Sequence, residues 1–354
     1  MPRTLLLAVL LALLAAAPAS ARDLKVPRDW LGVAADGPLI DAPADHAAEW
    51  PLIARSGATS VRTAFYWTRG EPFGPGMLDF SSFDAPVLAA AREGLGVLPV
   101  VFATPEWARA VPGDAASPPR DPEDYARFLA ALVRRYGPGG SLWAEHPEVR
   151  KRPIRHWQIW NEPNLAGYWS RQPFAPSFVR LLRAARRALR AADPGARAIL
   201  AGLPNGWDAL RRIYRAGGRR SFDAVAIHPY TEQAGRIQRY ILAARRVMAD
   251  FRDRRKPIWV SEISWPAARG KMPDPIGIAT DDRGQARNLR TGLRQLARVR
   301  KRYRIERVYW YTWLSAESTT SVFNFSGLRR LRDGAVVSAP ALLAFRRTAR
   351  ALGR

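Results

Sequence analysis

Between His156 and Gly202 the chain reads "HWQIWNEPNLAGYWSRQPFAPSFVRLLRAARRALRAADPGARAILAG", and the order of its runs limits the architecture. The segment opens with a short, bulky apolar run, His156–Trp160, and closes with another, Arg197–Gly202. Between them "RLLRAARRALRAA", Arg180–Ala192, carries arginines beside an apolar stripe at helical spacing. Strand, helix, strand is the repeating unit of a parallel sheet.

The same alternation extends in both directions. Upstream stand "WLGVAA" (Trp30–Ala35), "TSVRTAF" (Thr59–Phe65) and "GVLPVVF" (Gly96–Phe102). Downstream stand "FDAVAIH" (Phe222–His228), "PIWVSE" (Pro257–Glu262) and "RVYWYTW" (Arg307–Trp313). Helix punctuation separates them. In "DPEDYARFLAALVRRYG", Asp121 suits the N-cap, Pro122 the first helical position and Gly137 the C-cap; "SFDAPVLAAAREG" ends at Gly94. Further helical stretches fall near Trp207–Ala216, Gln233–Asp253, Asp282–Tyr303 and Ala339–Leu352. Eight strand–helix units in 354 residues predict an α/β protein, a single (β/α)8 TIM barrel spanning 22–354, with the surplus length in loops such as Pro105–Pro119 and Gly139–Pro153. A doubly wound open sheet would show a glycine-rich phosphate turn after its first strand, and none follows Trp30–Ala35.

Ahead of the barrel, Arg3 is followed by an apolar run, Leu5–Ala17, then Pro18 and the small triplet Ala19-Ser20-Ala21. That order predicts a secretory signal peptide over 1–21, cleaved after Ala21, and hence a secreted, extracytoplasmic protein. The run falls short of the ~20 residues a membrane-crossing helix needs, so no stable membrane insertion is expected after cleavage. There is no cysteine, which excludes thiolate catalysis and disulfide scaffolding and leaves stability to a large core. The four histidines, His46, His146, His156 and His228, lie at no metal-ligand spacing; neither a metal nor a cofactor is expected.

The net charge is +25, nearly all of it arginine, since lysine occurs only at Lys25, Lys151, Lys256, Lys271 and Lys301. Such charge fits arginines coating the outer faces of helices better than it fits a polyanionic partner. The arginines follow no base-reading motif, so no nucleic acid is expected as partner.

In a barrel of this kind chemistry gathers where strands end. There the chain places Arg62, the run Asn161-Glu162-Pro163-Asn164, His228-Pro229-Tyr230, Glu262 and Trp313. Strands four and seven oppose each other across a closed barrel, so Glu162 and Glu262 are expected to face across its mouth. Paired carboxylates on either side of one pocket are what glycosidic bond cleavage requires. Aromatic rings, among them the loop residues Trp67, Trp107 and Trp169, would offer platforms to sugar faces.

These residues also carry a resemblance. "WQIWNEPN" and "PIWVSEISW" are similar to the acid/base and nucleophile segments of clan A retaining glycoside hydrolases. The likeness continues through Val61–Ala108, "DPEDYARFLAALVRRYG", "FDAVAIHPY" and Gly327–Phe345, and resembles glycoside hydrolase family 39, the β-xylosidase and α-L-iduronidase group, with related bacterial polysaccharide hydrolases. It implies Glu162 as acid/base and Glu262, 100 positions later, as nucleophile. It further implies Asn161 at the sugar's 2-hydroxyl, Arg62 near the nucleophile, Tyr230 as its orienting phenol, His228 as a pocket histidine and Trp313 as stacking platform. Ala64, Ser264 and Ser338 depart from the pattern, where an acidic residue, a glycine and a lysine are frequent.

The expected activity is therefore that of a secreted retaining glycoside hydrolase on an oligo- or polysaccharide, which the charge would make anionic. Glu262 is expected to stay ionised and Glu162 to hold its proton towards neutrality. A non-catalytic glycan-binding barrel and a transglycosylase acting on envelope or exopolysaccharide remain the alternatives.

Overall fold

Short apolar runs buried on both faces pair as a sheet that helices cover outside and side chains fill inside. The computed structural model describes residues 24–42, 45–204 and 206–353; the expected leader at 1–21 lies outside them. Eight strands form: β1 Leu31–Ala34, β2 Ser60–Tyr66, β3 Gly96–Phe102, β4 His156–Asn161, β5 Arg197–Pro204, β6 Val225–His228, β7 Ile258–Ile263 and β8 Ile305–Trp310. Each pairs in parallel with the next, and β8 closes on β1 with Leu31 opposite Val308 and Val33 opposite Trp310. The closed (β/α)8 barrel is the one the sequence predicts.

Inside the barrel Leu98, Ile199, Ala224, Ala226, Trp259 and Tyr309 pack as a cluster separate from the main core. Gly32 on β1 makes this possible, because a Cβ there would lie 2.6 Å from the Tyr309 ring. The main core lies between barrel and helices and includes Val61, Phe65, Trp157 and Ile159. Asp121 caps the helix Pro122–Tyr136 by accepting from the Glu123 N–H at 2.9 Å, and Gly94 takes the left-handed φ of 69° just past the helix Ser81–Arg92.

Two features differ from expectation. The last barrel strand begins and ends earlier than Arg307–Trp313, because past Trp310 the chain turns over the barrel rim, with Tyr311 N–H donating to Ile263 and Trp313 N–H to Ala34. A small second sheet follows, made of β9 Leu314–Ala316, β10 Arg329–Arg332 and β11 Ala335–Ser338 in the order β11-β10-β9. Asp333 (φ 49°) and Gly334 (φ 79°) make the two-residue turn of its hairpin, the Asp-Gly pattern that favours such turns. Among the described residues no helix is long and apolar enough to cross a membrane.

Candidate active site

Arg62, on β2, is buried at the barrel mouth with each nitrogen engaged. Its Nε donates to Gln158 Oε1 at 3.0 Å, Nη2 to Asn161 Oδ1 at 2.9 Å, and Nη1 pairs with Glu262 Oε1 at 2.7 Å. One guanidinium thus ties the ends of strands four and seven together, as its planar fork of donors allows.

Strand four departs from simple alternation. Gln158 and Asn161 both reach Arg62, although residues three apart point to opposite faces of a regular strand. The phase slips at Trp160, whose φ is 71°, and Glu162 has φ 43°. Left-handed backbone at two non-glycine residues costs of order 1–3 kcal/mol each. It turns the Trp160 indole outward, where Nε1 donates to the Tyr168 carbonyl at 2.8 Å, and brings the neighbours Asn161 and Glu162 both to the cleft.

His228, wholly buried at the end of β6, joins the two carboxylates: its Nδ1 lies 2.6 Å from Glu162 Oε1 and 3.5 Å from Glu262 Oε2. Among the described residues its Nε2 has no hydrogen-bond partner, and it lies against Gly202 of β5, where a Cβ would sit 1.9 Å away. Tyr230 donates its hydroxyl to Glu262 Oε2 at 2.6 Å. Burial alone would push the Glu262 carboxyl up; the neighbouring His228 and Arg62 and the Tyr230 hydrogen bond outweigh it and hold Glu262 below the usual carboxylate range. Burial also raises the Tyr230 phenol well above its ordinary value, so it stays a donor. One acceptor or donor atom each from Glu162, His228 and Glu262 fall within 4.8 Å of one another. The grouping has the spacing of a metal site, but the Arg62 guanidinium already occupies Glu262 and would repel a cation there.

The cleft encloses about 210 Å³, and its walls carry the rings of Tyr66, Phe102, Tyr168, Tyr230, Tyr311 and Phe323. Of the seven residues singled out from sequence, Arg62, Asn161, Glu162, Tyr230 and Glu262 line it, and His228 lies directly behind the carboxylates. Trp313 does not. Its indole is buried and donates to Glu49 Oε2 at 2.9 Å, a carboxylate also paired with Arg329 at 2.9 Å. A polar N–H inside a core needs such an acceptor, and Trp313 serves packing where a sugar platform was expected. Tyr311, two residues earlier, takes the rim position. The loop tryptophans are displaced likewise: Trp67 and Trp169 are buried, and their neighbours Tyr66 and Tyr168 face the cleft.

Asp36, just past β1, is a cleft residue that the strand assignments passed over. Its Oδ1 accepts from the Ala64 backbone N–H at 3.3 Å, beside the departure at Ala64. Burial lifts its carboxyl from 3.8 to about 6, against the pull of Arg62 and with the push of Glu262. The available signal was positional, an acidic residue next after a strand's C-terminal end, as at Glu162. Of the other departures, Ser264 bonds Ser326 at 3.1 Å beneath the rim, and Ser338 accepts from Arg329 in the small sheet.

No protein-family model and no curated protein matches the chain. Solved structures do. A family 39 glycoside hydrolase from the gut symbiont Bacteroides cellulosilyticus WH2 superposes with a TM-score of 0.66 at 20% identity, covering 92% of this chain and 64% of that one. A monomeric β-xylosidase from Caulobacter crescentus CB15 gives 0.66 at 16% identity, with 91% and 68% covered. The fold is the one these hydrolases share. It extends beyond one family: GH5_18 from Streptomyces cattleya matches at 0.63 and 17% identity over 91% of this chain and 80% of that one. The chain spans about two thirds of the length of the Bacteroides and Caulobacter proteins.

Proposed function

We propose that the protein is a retaining glycoside hydrolase that cleaves O-glycosidic bonds of an oligo- or polysaccharide. One observation carries the reading: Glu162 and Glu262 meet around His228 at the mouth of the barrel, within 4.8 Å atom to atom. Retaining enzymes hold their carboxyl groups ~5–5.5 Å apart, whereas inverting enzymes leave ~6.5–9.5 Å for a water.

The residues divide the work by environment. Glu262, held anionic by Arg62 and Tyr230, attacks the anomeric carbon as the bond to the leaving oxygen breaks. Glu162 gives its proton to that oxygen. The sugar is then esterified to Glu262, whose negative charge disappears, and Glu162 takes a proton from the water that displaces it. His228 Nδ1 touches both carboxylates and so positions Glu162. Asn161, oriented by Arg62, faces the ring hydroxyls, and the aromatic walls cover the sugar faces.

Purified protein should release reducing ends from at least one member of a panel of polysaccharides and aryl glycosides, and E162Q and E262Q should each lower kcat at least about a thousandfold. Proton NMR of the first-formed product distinguishes the stereochemistry. A product of inverted configuration sinks the double displacement; full activity in E262Q sinks the site. The run Leu5–Ala17 and the Ala19-Ser20-Ala21 triplet further support export with cleavage after Ala21, so that the protein recovered outside the cytoplasm would begin at Arg22.

A further inference from the structure

Positive charge is abundant in this protein and almost absent from its cleft. On the outer wall, Arg183, Arg186, Arg187, Arg190, Arg219 and Arg220 line a groove between the helix Ala175–Ala192 and the turn before β6. Among the described residues lining the cleft, Arg62 is the one cation, and it faces three carboxyl groups, Asp36, Glu162 and Glu262. The charge of Arg62 is already paired with Glu262 at 2.7 Å, and three of its five N–H groups are directed to Gln158, Asn161 and Glu262. A carboxylate on a substrate would compete with Glu262 for this one buried charge.

Asp36 is built to meet a different ligand. Its Oδ1 is fixed by the Ala64 N–H. No described residue donates to Oδ2, although Asp36 is only partly exposed and lines the cleft. An acceptor that lines a cavity with no donor from the protein is open to a donor from the occupant. Sugar hydroxyls are such donors, and a carboxylate binds them without needing a counter-charge. A uronate in the same place would bring a further anion beside Glu262 and Asp36 in a cleft whose one cation is already paired, and like charges at this range repel strongly in a partly desolvated site.

We propose that the sugar unit held between Glu162 and Glu262 is neutral, that Asp36 grips one of its hydroxyl groups, and that the cleft discriminates against uronic acids. This rests on the hydrolase reading for where the sugar sits, and it reverses the anionic substrate that net charge alone implies. Asp36 is a specificity residue here and takes no part in bond cleavage.

Calorimetric titration of E162Q separates binding from turnover. The probes are xylohexaose, cellohexaose and mannohexaose, together with oligoglucuronate before and after chemical reduction of its carboxyl groups. At least one neutral probe should bind at least about tenfold tighter than oligoglucuronate, with the reduced oligomer gaining on its acidic parent. Adding D36N should weaken neutral binding and narrow that gap. Equal or tighter binding of oligoglucuronate overturns the inference, as does a gap untouched by D36N or the failure of every probe to bind. The two readings fail separately: cleavage by the wild type without this discrimination removes the inference alone, and discrimination without cleavage of any probe removes the hydrolase alone.

Discussion

A carboxyl pressed into a crevice beside another carboxylate resists ionisation, and Asp36 is so placed: burial raises it to about 6 from 3.8. The folded protein therefore binds this proton more tightly than the unfolded chain does. Stability from the neutral form is fully present below pH 3.8 and is lost as pH rises through 6. The full shift corresponds to roughly 3 kcal/mol, and partial exposure trims it to about 2 kcal/mol. D36N, which cannot ionise, should accordingly stabilise the protein by about 2 kcal/mol at pH 8 and by little at pH 4. Denaturant unfolding at the two pH values measures this, and an equal effect at both would show that the charge is not the cause. Such a residue costs stability where it stands, which is the pattern expected of a site kept for binding.

Elements meet in this site through one missing side chain. Gly202 on β5 lets the imidazole of His228 on β6 bring its Nε2 close to the backbone, Pro204 pairing with His228 in the register of the two strands. A methyl at 202 would fall 1.9 Å from Nε2, so the ring must move, and with it the Nδ1 that contacts Glu162 and Glu262. G202A should destabilise by about 1–3 kcal/mol, as overpacking does, and lower kcat by at least about tenfold. In a double-mutant cycle H228A should recover much of the lost stability but none of the activity. Strictly additive stabilities would mean that the two residues do not press on one another. The same logic explains why β4 tolerates left-handed backbone at Trp160 and Glu162: the slip in phase delivers Asn161 and Glu162 together, which a regular strand would send to opposite faces.

Over the whole molecule the sequence carries a net charge of +25, and on the outer wall arginines crowd one another along the helix Ala175–Ala192. Exposed pairs such as Arg187 with Glu123 offset little of this repulsion. Raising ionic strength from about 10 mM to about 150 mM shortens the Debye length from ~30 Å to ~8 Å, and should raise Tm by several degrees. A Tm that is flat or falls with salt would indicate that ion pairs outweigh the excess charge. Turnover of a neutral glycan should change little over the same range, because Arg62 and Glu262 are buried and paired at 2.7 Å.

The barrel and its two glutamates are legible along the chain because both depend on local order. Apolar runs of strand length alternate with amphipathic helices, and a parallel sheet of eight such units closes on itself. Glu162 and Glu262 are visible because each stands where a recognisable strand stops. What packing alone settles is which neighbour of a marked residue turns inward. Tyr66, Tyr168 and Tyr311 face the cleft, while Trp67, Trp169 and Trp313 serve the core; all six stand at or beyond strand ends, where the chain leaves the regular alternation and no pattern along it sets which side chain turns inward. The acidic character of the cleft is tertiary for the same reason. Composition counts every arginine equally, whereas the fold lines an outer groove with six of them and leaves Asp36, at the end of the neighbouring strand β1, beside Arg62 and, 226 positions on, Glu262.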